Sequence, residues 1–380
     1  MRAKATWMQP DALFDGTSIL TDMALCIEAG KVTRVAKAAP DLNAQKVAGI
    51  ASPGFVDLQV NGGGNHLFNA TPTPETIFKI AAAHHALGTT RLLPTVITDE
   101  KSVLEQAVEA SLVCKDARGI LGIHIEGPHI SAERRGTHAK RFIRPFDDHS
   151  LGLVRKLRDA GVRVVMTLAP EAATPAQVSQ LSEMGAVVSI GHTDATADEA
   201  RAMFKAGATC VTHLFNAMSP MLNRAPGVVG AAINSDAYCG IICDGMHVAD
   251  EMVGLACRAR PTPRRTFLVS DAMPTVGGND HFDLYGTRIR LDNGKLINAE
   301  GSLAGAHVTM FQSVARLVGK VGIPLADALA MATSIPLCAL MQSEAPENPL
   351  IGEDLADLLL IEKDLSSFSF AQDRLRATAA

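Results

Sequence analysis

The sequence contains no Cys-x-x-Cys pair, and its number of cysteines is odd. Its seven cysteines are scattered along the chain, a pattern that indicates reduced, mostly buried thiols and not a disulfide framework. It also lacks an apolar run of about 18 residues, the length that a membrane-spanning helix needs. The first residues lack the apolar core of a signal peptide. These absences predict a cytoplasmic protein without a membrane partner.

An excess of positive charge is missing as well. The chain has 35 lysines and arginines against 40 acidic residues, a formal net charge of -5. Without a basic surface, nucleic acid is not a predicted partner. A small anionic substrate remains compatible, because a few local basic groups suffice to bind it. With 380 residues, 47% of them hydrophobic and 20% charged, the chain has the composition of a globular enzyme with one large domain and a small appendage.

Both ends of the chain are predicted to form β-structure. Short apolar runs with turns between them are strand-like at residues 12–14, 24–27, 32–35 and 356–361. The N-terminal segment is too small to fold alone. We therefore expect residues 1–51 and 340–380 to pair into one small β-domain.

Between these ends, apolar runs alternate with helical periods. Strands are predicted at residues 54–60, 90–96, 120–125, 162–168, 186–190, 209–211, 238–243 and 266–269. Helices are predicted at residues 74–87, 100–115, 151–160, 175–184, 197–206 and 250–258. This order predicts an α/β fold, a (β/α)8 TIM-like barrel over residues 52–339. A doubly wound open sheet is the alternative, and it explains less well why polar residues recur at so many strand ends.

Three long connections interrupt the alternation. Residues 127–149 and 214–236 both exceed the roughly 12 residues of an ordinary loop in a compact domain, and such loops are often functional lids. A third insertion, at about 277–300, has the alternation of a β-hairpin with its turn at Asp292-Asn293-Gly294.

One acid and two histidines follow buried strands. Glu126 lies between an apolar run and a Gly-Pro turn, and a buried carboxylate needs a cation, hydrogen bonds or a metal. His192 and His213 end two later strands, and Asp271 ends another. Because barrel active sites form at the C-terminal strand ends, these side chains are predicted to meet. Three nitrogen and oxygen ligands with an open position are typical of a catalytic zinc or related divalent site. Asp271 would then transfer protons.

Each of these residues also has an ordinary structural explanation. A single histidine at a strand end is more often a hydrogen-bonded structural residue than a ligand. Asp271 is equally suited to capping the turn that follows it. The combination at four strand ends is what favours a hydrolytic metal site.

Four motifs occur in order along the chain: His-Ile-Glu-Gly-Pro-His, Gly-His-Thr-Asp-Ala, Thr-His-Leu-Phe-Asn-Ala-Met and Ser-Asp-Ala-Met. They resemble those of the N-acetylglucosamine-6-phosphate deacetylases, a family of the amidohydrolase superfamily. The resemblance extends from Pro53-Gly54-Phe55-Val56-Asp57 to Ala356-Asp357-Leu358. It implies a barrel with a small β-sandwich from both termini, a homodimer, and hydrolysis of the acetamide of N-acetyl-D-glucosamine 6-phosphate to D-glucosamine 6-phosphate and acetate.

The resemblance also implies roles for the residues of the hydrolytic centre. It makes Glu126, His192 and His213 the ligands of one divalent metal ion, with zinc as the first choice and iron, manganese or cobalt also suited to this ligand set. It makes Asp271 the catalytic acid and base. His138, on the long lid, matches the histidine that binds the sugar and the acetyl carbonyl.

Four further residues match substrate-binding positions of the family. Asn216 and Ala217 match contacts to the 6-phosphate, and Arg224 matches a phosphate-binding arginine, whose forked side chain suits two phosphate oxygens. His247 matches a histidine at the sugar-phosphate end. Since a phosphate contact crosses the dimer interface in some members, Arg224 or His247 would serve the neighbouring subunit. Without the resemblance, Arg224 would be interpreted as an ordinary surface charge.

The chain departs from the family pattern at one place. Two-metal members carry His-x-His after the first barrel strand, where this sequence has Gln59 and Asn61. Neutral amides are poor ligands for a transition metal compared with imidazole. A second metal ion is therefore not expected.

Two other functions stay open at this point. One is a related amidohydrolase that acts on another N-acylamino sugar or on a cyclic amide. The other is a catalytically silent barrel that binds a sugar phosphate. The intact Asp271 and the complete set of three ligands favour an enzyme.

Overall fold

The computed structural model describes residues 5–343 and 348–379. Its first strands are β1 (Thr6–Phe14), β2 (Ile19–Leu20), β3 (Met23–Glu28), β4 (Lys31–Lys37) and β5 (Gln45–Pro53). The runs predicted as strands at residues 12–14, 24–27 and 32–35 lie inside β1, β3 and β4. β5 was not predicted, because its buried half contains glycine, alanine and proline, which are rare in strands.

The described chain then forms a parallel sheet of eight strands. The first is β6 (Phe55–Val60), which is followed by a small antiparallel pair, β7 (Gly62–Gly63) and β8 (His66–Leu67). The other seven are β9 (Thr89–Ile97), β10 (Ile123–Glu126), β11 (Val164–Leu168), β12 (Val187–Ile190), β13 (Cys210–Val211), β14 (Tyr238–Ile241) and β15 (Thr266–Leu268). Each strand pairs with the next in chain order.

The parallel sheet closes almost completely on itself. A parallel bridge joins Val60, at the end of β6, to Ala272, just beyond β15. The backbone N–H groups of Asn61 and Gly62 both donate to the carbonyl of Ala272 at 2.9 Å. Every residue of β10, β11 and β12 is buried, as expected for strands covered on both faces. The predicted (β/α)8 barrel is confirmed, and the open doubly wound sheet is wrong.

Helices cover the outside of the barrel. They are α1 (Pro74–Ala86), α2 (Lys101–Val113), α3 (Asp148–Asp159), α4 (Pro175–Glu183), α5 (Ala197–Lys205), α6 (Gly227–Ile233) and α7 (Asp250–Arg258). Threonine side chains cap the N-termini of α1, α4 and α5, which explains why their starts were predictable. α6 was not predicted: it lies inside the connection at 214–236 and is entirely buried, so the second half of that connection is not a loop.

The insertion after the barrel has three strands and not the single hairpin that was predicted. They are β16 (His281–Leu284), β17 (Thr287–Asp292) and β18 (Lys295–Ile297), all antiparallel. The predicted turn at Asp292-Asn293-Gly294 does join β17 to β18. A second turn, at Tyr285-Gly286, was mistaken for strand because both residues continue the alternation.

The remaining elements return the chain to its beginning. Helices α8 (Met310–Arg316), α9 (Leu325–Ala332) and α10 (Ser334–Met341) precede β19 (Leu358–Ile361), β20 (Phe368–Phe370) and α11 (Ala371–Ala379). β19 pairs antiparallel with β5, from Leu358 opposite Pro53 to Ile361 opposite Ile50.

The sheet order β20-β19-β5-β1-β3-β4, with β2 beside β1, therefore joins both ends of the chain. Buried side chains from both ends, including Leu13, Leu25 and Leu360, form its own apolar cluster. The predicted separate β-structure from both termini is confirmed, whereas the boundaries at 51/52 and 339/340 stay predictions. Across the described residues, no helix combines the length and apolar character needed to cross a membrane.

Candidate active site

Glu126, His192 and His213 converge at the C-terminal ends of three barrel strands. Glu126 is the last residue of β10, and the two histidines lie two residues beyond β12 and β13. The Oε1 atom of Glu126 is 3.2 Å from Nε2 of His192 and 3.0 Å from Nε2 of His213. The two Nε2 atoms are 3.0 Å apart, and all three side chains are buried. The sequence prediction that these three residues meet is therefore correct.

The three atoms suit a divalent cation. Burial alone would raise the pKa of Glu126, but the adjacent imidazoles of His192 and His213 hold that pKa well below its usual range. Ligand atoms of a tetrahedral zinc site with bonds of about 2.0–2.1 Å lie roughly 3.3 Å apart, close to the separations here. Nδ1 of His192 lies 2.9 Å from the carbonyl of Arg134, which leaves Nε2 free to act as a ligand. The residues present therefore fit a divalent metal.

Asp271 lies beside this cluster and is held by the two amides of the first strand. Its Oδ1 accepts from Nδ2 of Asn61 at 2.6 Å and from Nε2 of Gln59 at 3.2 Å. The same Gln59 nitrogen donates to Oε1 of Glu126 at 2.9 Å. Burial, together with the nearby charge of Glu126, raises the pKa of Asp271 to about 6. Gln59 and Asn61 thus act as hydrogen-bond donors to the two carboxylates.

Several residues of the site have a left-handed backbone. The φ angles are +48° at His192, +30° at His213, +51° at Asp271 and +50° at Ala217. Residues other than glycine rarely adopt this region, and such strain concentrates at functional sites. His192, His213 and Asp271 have this conformation within three residues of the ends of β12, β13 and β15.

The connection at 127–149 brings His138 into the same site. Nδ1 of His138 lies 2.7 Å from Oγ1 of Thr98, and its ring packs on that of His192 with centroids 4.4 Å apart. Burial and the neighbouring His192 lower the pKa of His138 well below its usual value. Arg135 forms an ion pair with Glu300, which fixes this connection to the segment that follows β18.

A cavity of about 360 Å³ opens above these groups. It is lined by nearly all of the residues singled out from the sequence: Asn61, Glu126, His138, His192, His213, Asn216, Ala217, His247 and Asp271. The structure therefore brings the predicted metal, acid-base and most substrate residues to one place.

Arg224 is the predicted residue that the structure does not bring to this cavity. It lies in an exposed run, residues 220–226, and makes no hydrogen bond or ion pair with any residue that the structure describes. Asn216, by contrast, turns its side-chain amide back toward the carbonyl of His213 at 3.3 Å.

Two residues of the site were missed by the sequence reasoning. Asp244 accepts from Nδ1 of His247 at 2.6 Å and so orients this ring at the cavity wall. Its position three residues before His247 was the available signal. Thr98, the partner of His138, directly follows β9 and could have been found only by considering hydroxyl groups at strand ends as well as acids and histidines.

Comparison with known proteins decides the family. The sequence model of the amidohydrolase family matches residues 50–341. The chain belongs to the amidohydrolase family. Among relatives of this amidohydrolase, an N-acetylgalactosamine-6-phosphate deacetylase of Shewanella is 39% identical over 310 residues, which cover 80% of this chain and 76% of the relative. An N-acetylglucosamine-6-phosphate deacetylase of Haemophilus influenzae is 35% identical over 293 residues, 76% of each chain.

Solved structures agree with the fold of this amidohydrolase. N-acetylglucosamine-6-phosphate deacetylase from Pasteurella multocida superimposes with a TM-score of 0.86 at 31% identity, over 95% of this chain and 96% of the other. A mutant of the Mycobacterium smegmatis enzyme, in complex with N-acetyl-D-glucosamine-6-phosphate, gives a TM-score of 0.86 at 32% identity, over 97% and 98%. The barrel and the terminal sheet are thus both shared with these structures.

Proposed function

We propose that this amidohydrolase removes the acetyl group of N-acetyl-D-glucosamine 6-phosphate, which gives D-glucosamine 6-phosphate and acetate. The observation that carries the proposal is the shared cavity of the Glu126–His192–His213 cluster and Asp271. A three-residue ligand set next to a carboxylate of raised pKa is an arrangement suited to hydrolysis of an amide. We place the enzyme in the cytoplasm, with a phosphorylated amino sugar as its substrate and no nucleic-acid partner.

Glu126, His192 and His213 would hold one divalent ion, zinc before iron, manganese or cobalt. Such an ion, when bound, lowers the pKa of a bound water to about 7 and polarises the acetyl carbonyl. Glu126 would bind the ion as a carboxylate, the form that its lowered pKa favours.

Asp271 performs the proton transfers. It accepts a proton from the water as the water oxygen bonds to the acetyl carbon, and passes that proton to the nitrogen as the carbon–nitrogen bond breaks. A pKa of about 6 places Asp271 near the range where a carboxyl group can both accept and return a proton. Hydrogen bonds from Gln59 and Asn61 to its Oδ1 atom hold the carboxylate in place.

The remaining predicted residues bind the substrate. His138 donates to the acetyl oxygen, where a preorganised donor stabilises the charge that develops. Asn216, Ala217 and His247 line the same cavity and hold the sugar and its 6-phosphate. Arg224 pairs with the phosphate in the neighbouring subunit of a homodimer, since it is exposed and outside its own cavity.

A second candidate is the 4-epimer, N-acetyl-D-galactosamine 6-phosphate. The relative with 39% identity carries that activity in its name. The acetamide and phosphate are the same in both sugars, so the chemistry at Glu126 and Asp271 does not distinguish them. A cyclic amide has weaker support, because the likeness to a D-hydantoinase, with 15% identity, concerns the fold alone.

The decisive experiment is acetate release by the purified, zinc-loaded protein from three sugars in parallel: both 6-phosphates and unphosphorylated N-acetylglucosamine. We expect fast release from N-acetylglucosamine 6-phosphate, slower release from its epimer N-acetylgalactosamine 6-phosphate, and little from unphosphorylated N-acetylglucosamine. A faster rate with N-acetylgalactosamine 6-phosphate would make that sugar the substrate in place of N-acetylglucosamine 6-phosphate. Equal rates with the phosphorylated and unphosphorylated sugars would contradict the proposed phosphate-binding site. No release from any of the three sugars would contradict the proposed activity and favour either an amidohydrolase that acts on another amide or a catalytically silent barrel.

A further inference from the structure

We propose that Thr98 is a positioning residue that sets the tautomer of His138, so that Nε2 of His138 carries the hydrogen and donates into the cavity. The inference deepens the proposed function, on which its kinetic consequence rests. The tautomer itself follows from the hydrogen bonds around Thr98 and does not depend on the substrate.

Thr98 is held in place on three sides. It directly follows β9, and its side chain is fully buried. Its carbonyl accepts a hydrogen bond from the hydroxyl of Tyr285, in the turn between β16 and β17. On the third side the backbone of Gly127 approaches so closely that a Cβ there would lie 2.3 Å from Oγ1 of Thr98. The hydroxyl therefore has little freedom to choose another partner.

The direction of the hydrogen bond to His138 follows from the partners available. Within residues 5–343 and 348–379, Nδ1 of His138 is the one hydrogen-bond partner of Oγ1 of Thr98, at 2.7 Å. If Nδ1 donated, the hydrogen of the Thr98 hydroxyl would be buried without an acceptor, which native proteins avoid. If Thr98 donates, its hydrogen and the Nδ1 lone pair are both satisfied. A neutral imidazole then carries its hydrogen on Nε2.

The position of the His138 ring decides what this tautomer presents to the cavity. His138 is 3% exposed and packs on His192, so rotation of the ring would disturb the cluster. With Nδ1 turned to Thr98, Nε2 is left for the cavity that His138 lines. There a hydrogen stabilises an oxygen that gains negative charge, whereas a lone pair would repel it.

The first test is nitrogen-15 NMR of the zinc-loaded wild-type protein labelled at histidine. Among the signals of its 12 histidines, those of His138 are identified by their loss in His138→Gln. We expect a protonated Nε2 and a bare Nδ1. A protonated Nδ1 would overturn the proposal. Because no substrate is involved, this result does not depend on whether the protein deacetylates an amino sugar.

The second test is the kinetics of Thr98 variants. Thr98→Val keeps the shape of the side chain and removes the donor; we expect kcat to fall about tenfold, the worth of one hydrogen bond, with KM unchanged. Thr98→Ser keeps the donor and should restore both kcat and the tautomer signals. Wild-type kcat in Thr98→Val, or a loss in Thr98→Ser equal to that in the valine variant, would contradict the proposal.

A matched control lies on β9, the strand that leads to Thr98. Thr90, in β9, is buried, and its hydroxyl has no hydrogen-bond partner among the described residues. Thr90→Val is therefore the same chemical change at a similar depth, and we expect it to leave kcat and the His138 signals as in the wild type. A tenfold loss there too would attribute the Thr98 effect to packing and overturn the proposal.

Discussion

The cluster of Glu126, His192, His213 and Asp271 and the proposed phosphate-binding residue Arg224 differ in how complete their surroundings are within one chain. The four side chains of the cluster are bonded to one another or to neighbouring amides. Arg224, by contrast, lies outside the cavity, is exposed and has no partner among the described residues. A buried charge must be compensated inside the fold, whereas an exposed guanidinium is solvated at little cost. The proposed hydrolytic centre is therefore complete within one chain, whereas the proposed phosphate contact of Arg224 depends on a second subunit.

The largest effect on turnover should come from replacing Asp271. Replacing Asp271 with Asn removes the proton acceptor, and we expect kcat to fall by about 10²–10⁴-fold. Zinc content should stay at the wild-type level, because Asp271 lies outside the three-residue cluster. Steady-state kinetics and elemental analysis of the purified variant measure both. A variant with full turnover, or one that has lost its metal, would refute the separation of roles.

For Arg224, the proposed phosphate-binding residue, the expected effect is smaller and concerns substrate binding. Arg224→Ala removes charge-assisted hydrogen bonds, so KM for the phosphorylated sugar should rise roughly 10- to 100-fold. The values for the unphosphorylated sugar and kcat should change little. Arg155→Ala, which removes an exposed arginine from α3, is the matched control and should resemble the wild type.

Mixing two variants tells whether Arg224 acts across a dimer. In a mixed dimer of Arg224→Ala and Asp271→Asn subunits, one cavity combines an intact Asp271 with the arginine of the other subunit. We expect activity at low substrate concentration to exceed that of either variant alone. If Arg224 served its own cavity, mixing would restore nothing.

The smallest effect concerns stability, namely how the free energy of unfolding changes with pH because Asp57 is buried. Asp57 is fully buried, and burial raises its pKa to about 7 although the N–H groups of Gln59 and Ser270 donate to it at 3.1 and 3.2 Å. A raised pKa in the folded state means that stability is present at low pH and lost as the pH rises through that pKa. Between pH 6 and 8 the wild type should lose about 1.4 kcal/mol relative to Asp57→Asn.

Urea unfolding of both proteins at several pH values measures this difference. The free energy of unfolding of the asparagine variant, relative to the wild type, should increase from pH 6 to pH 8. Parallel curves for the two proteins would show that Asp57 keeps the same charge when folded and unfolded.

The sequence predicted the barrel and the convergence of its polar strand ends for one physical reason. Parallel strands present their C-terminal ends at the same edge, so apolar runs followed by Glu126, His192 and His213 were enough. Helix α7 was predicted with its observed bounds because its apolar face repeats at the helical period.

Other features had no such signal. The buried helix α6 begins after Pro226 without a side-chain cap, and nearly uniform apolar residues hide its period. The left-handed backbone of His192 and Asp271 depends on the barrel around them, because histidine and aspartate adopt that conformation more often than most residues but still only rarely. The contact between Thr98 and His138 joins residues 40 positions apart. Such pairs depend on how the connection at 127–149 folds back, which local patterns do not encode.

The pairing of β19 with β5 has a consequence for how the protein is made. β5 leads into β6, the strand that carries Gln59, with only Gly54 between them. During synthesis from the N-terminus, the edge of β5 that faces β19 stays open until residues 358–361 have left the ribosome. The first barrel strand, β6, is thus preceded by a strand whose partner, β19, is made much later than the barrel itself.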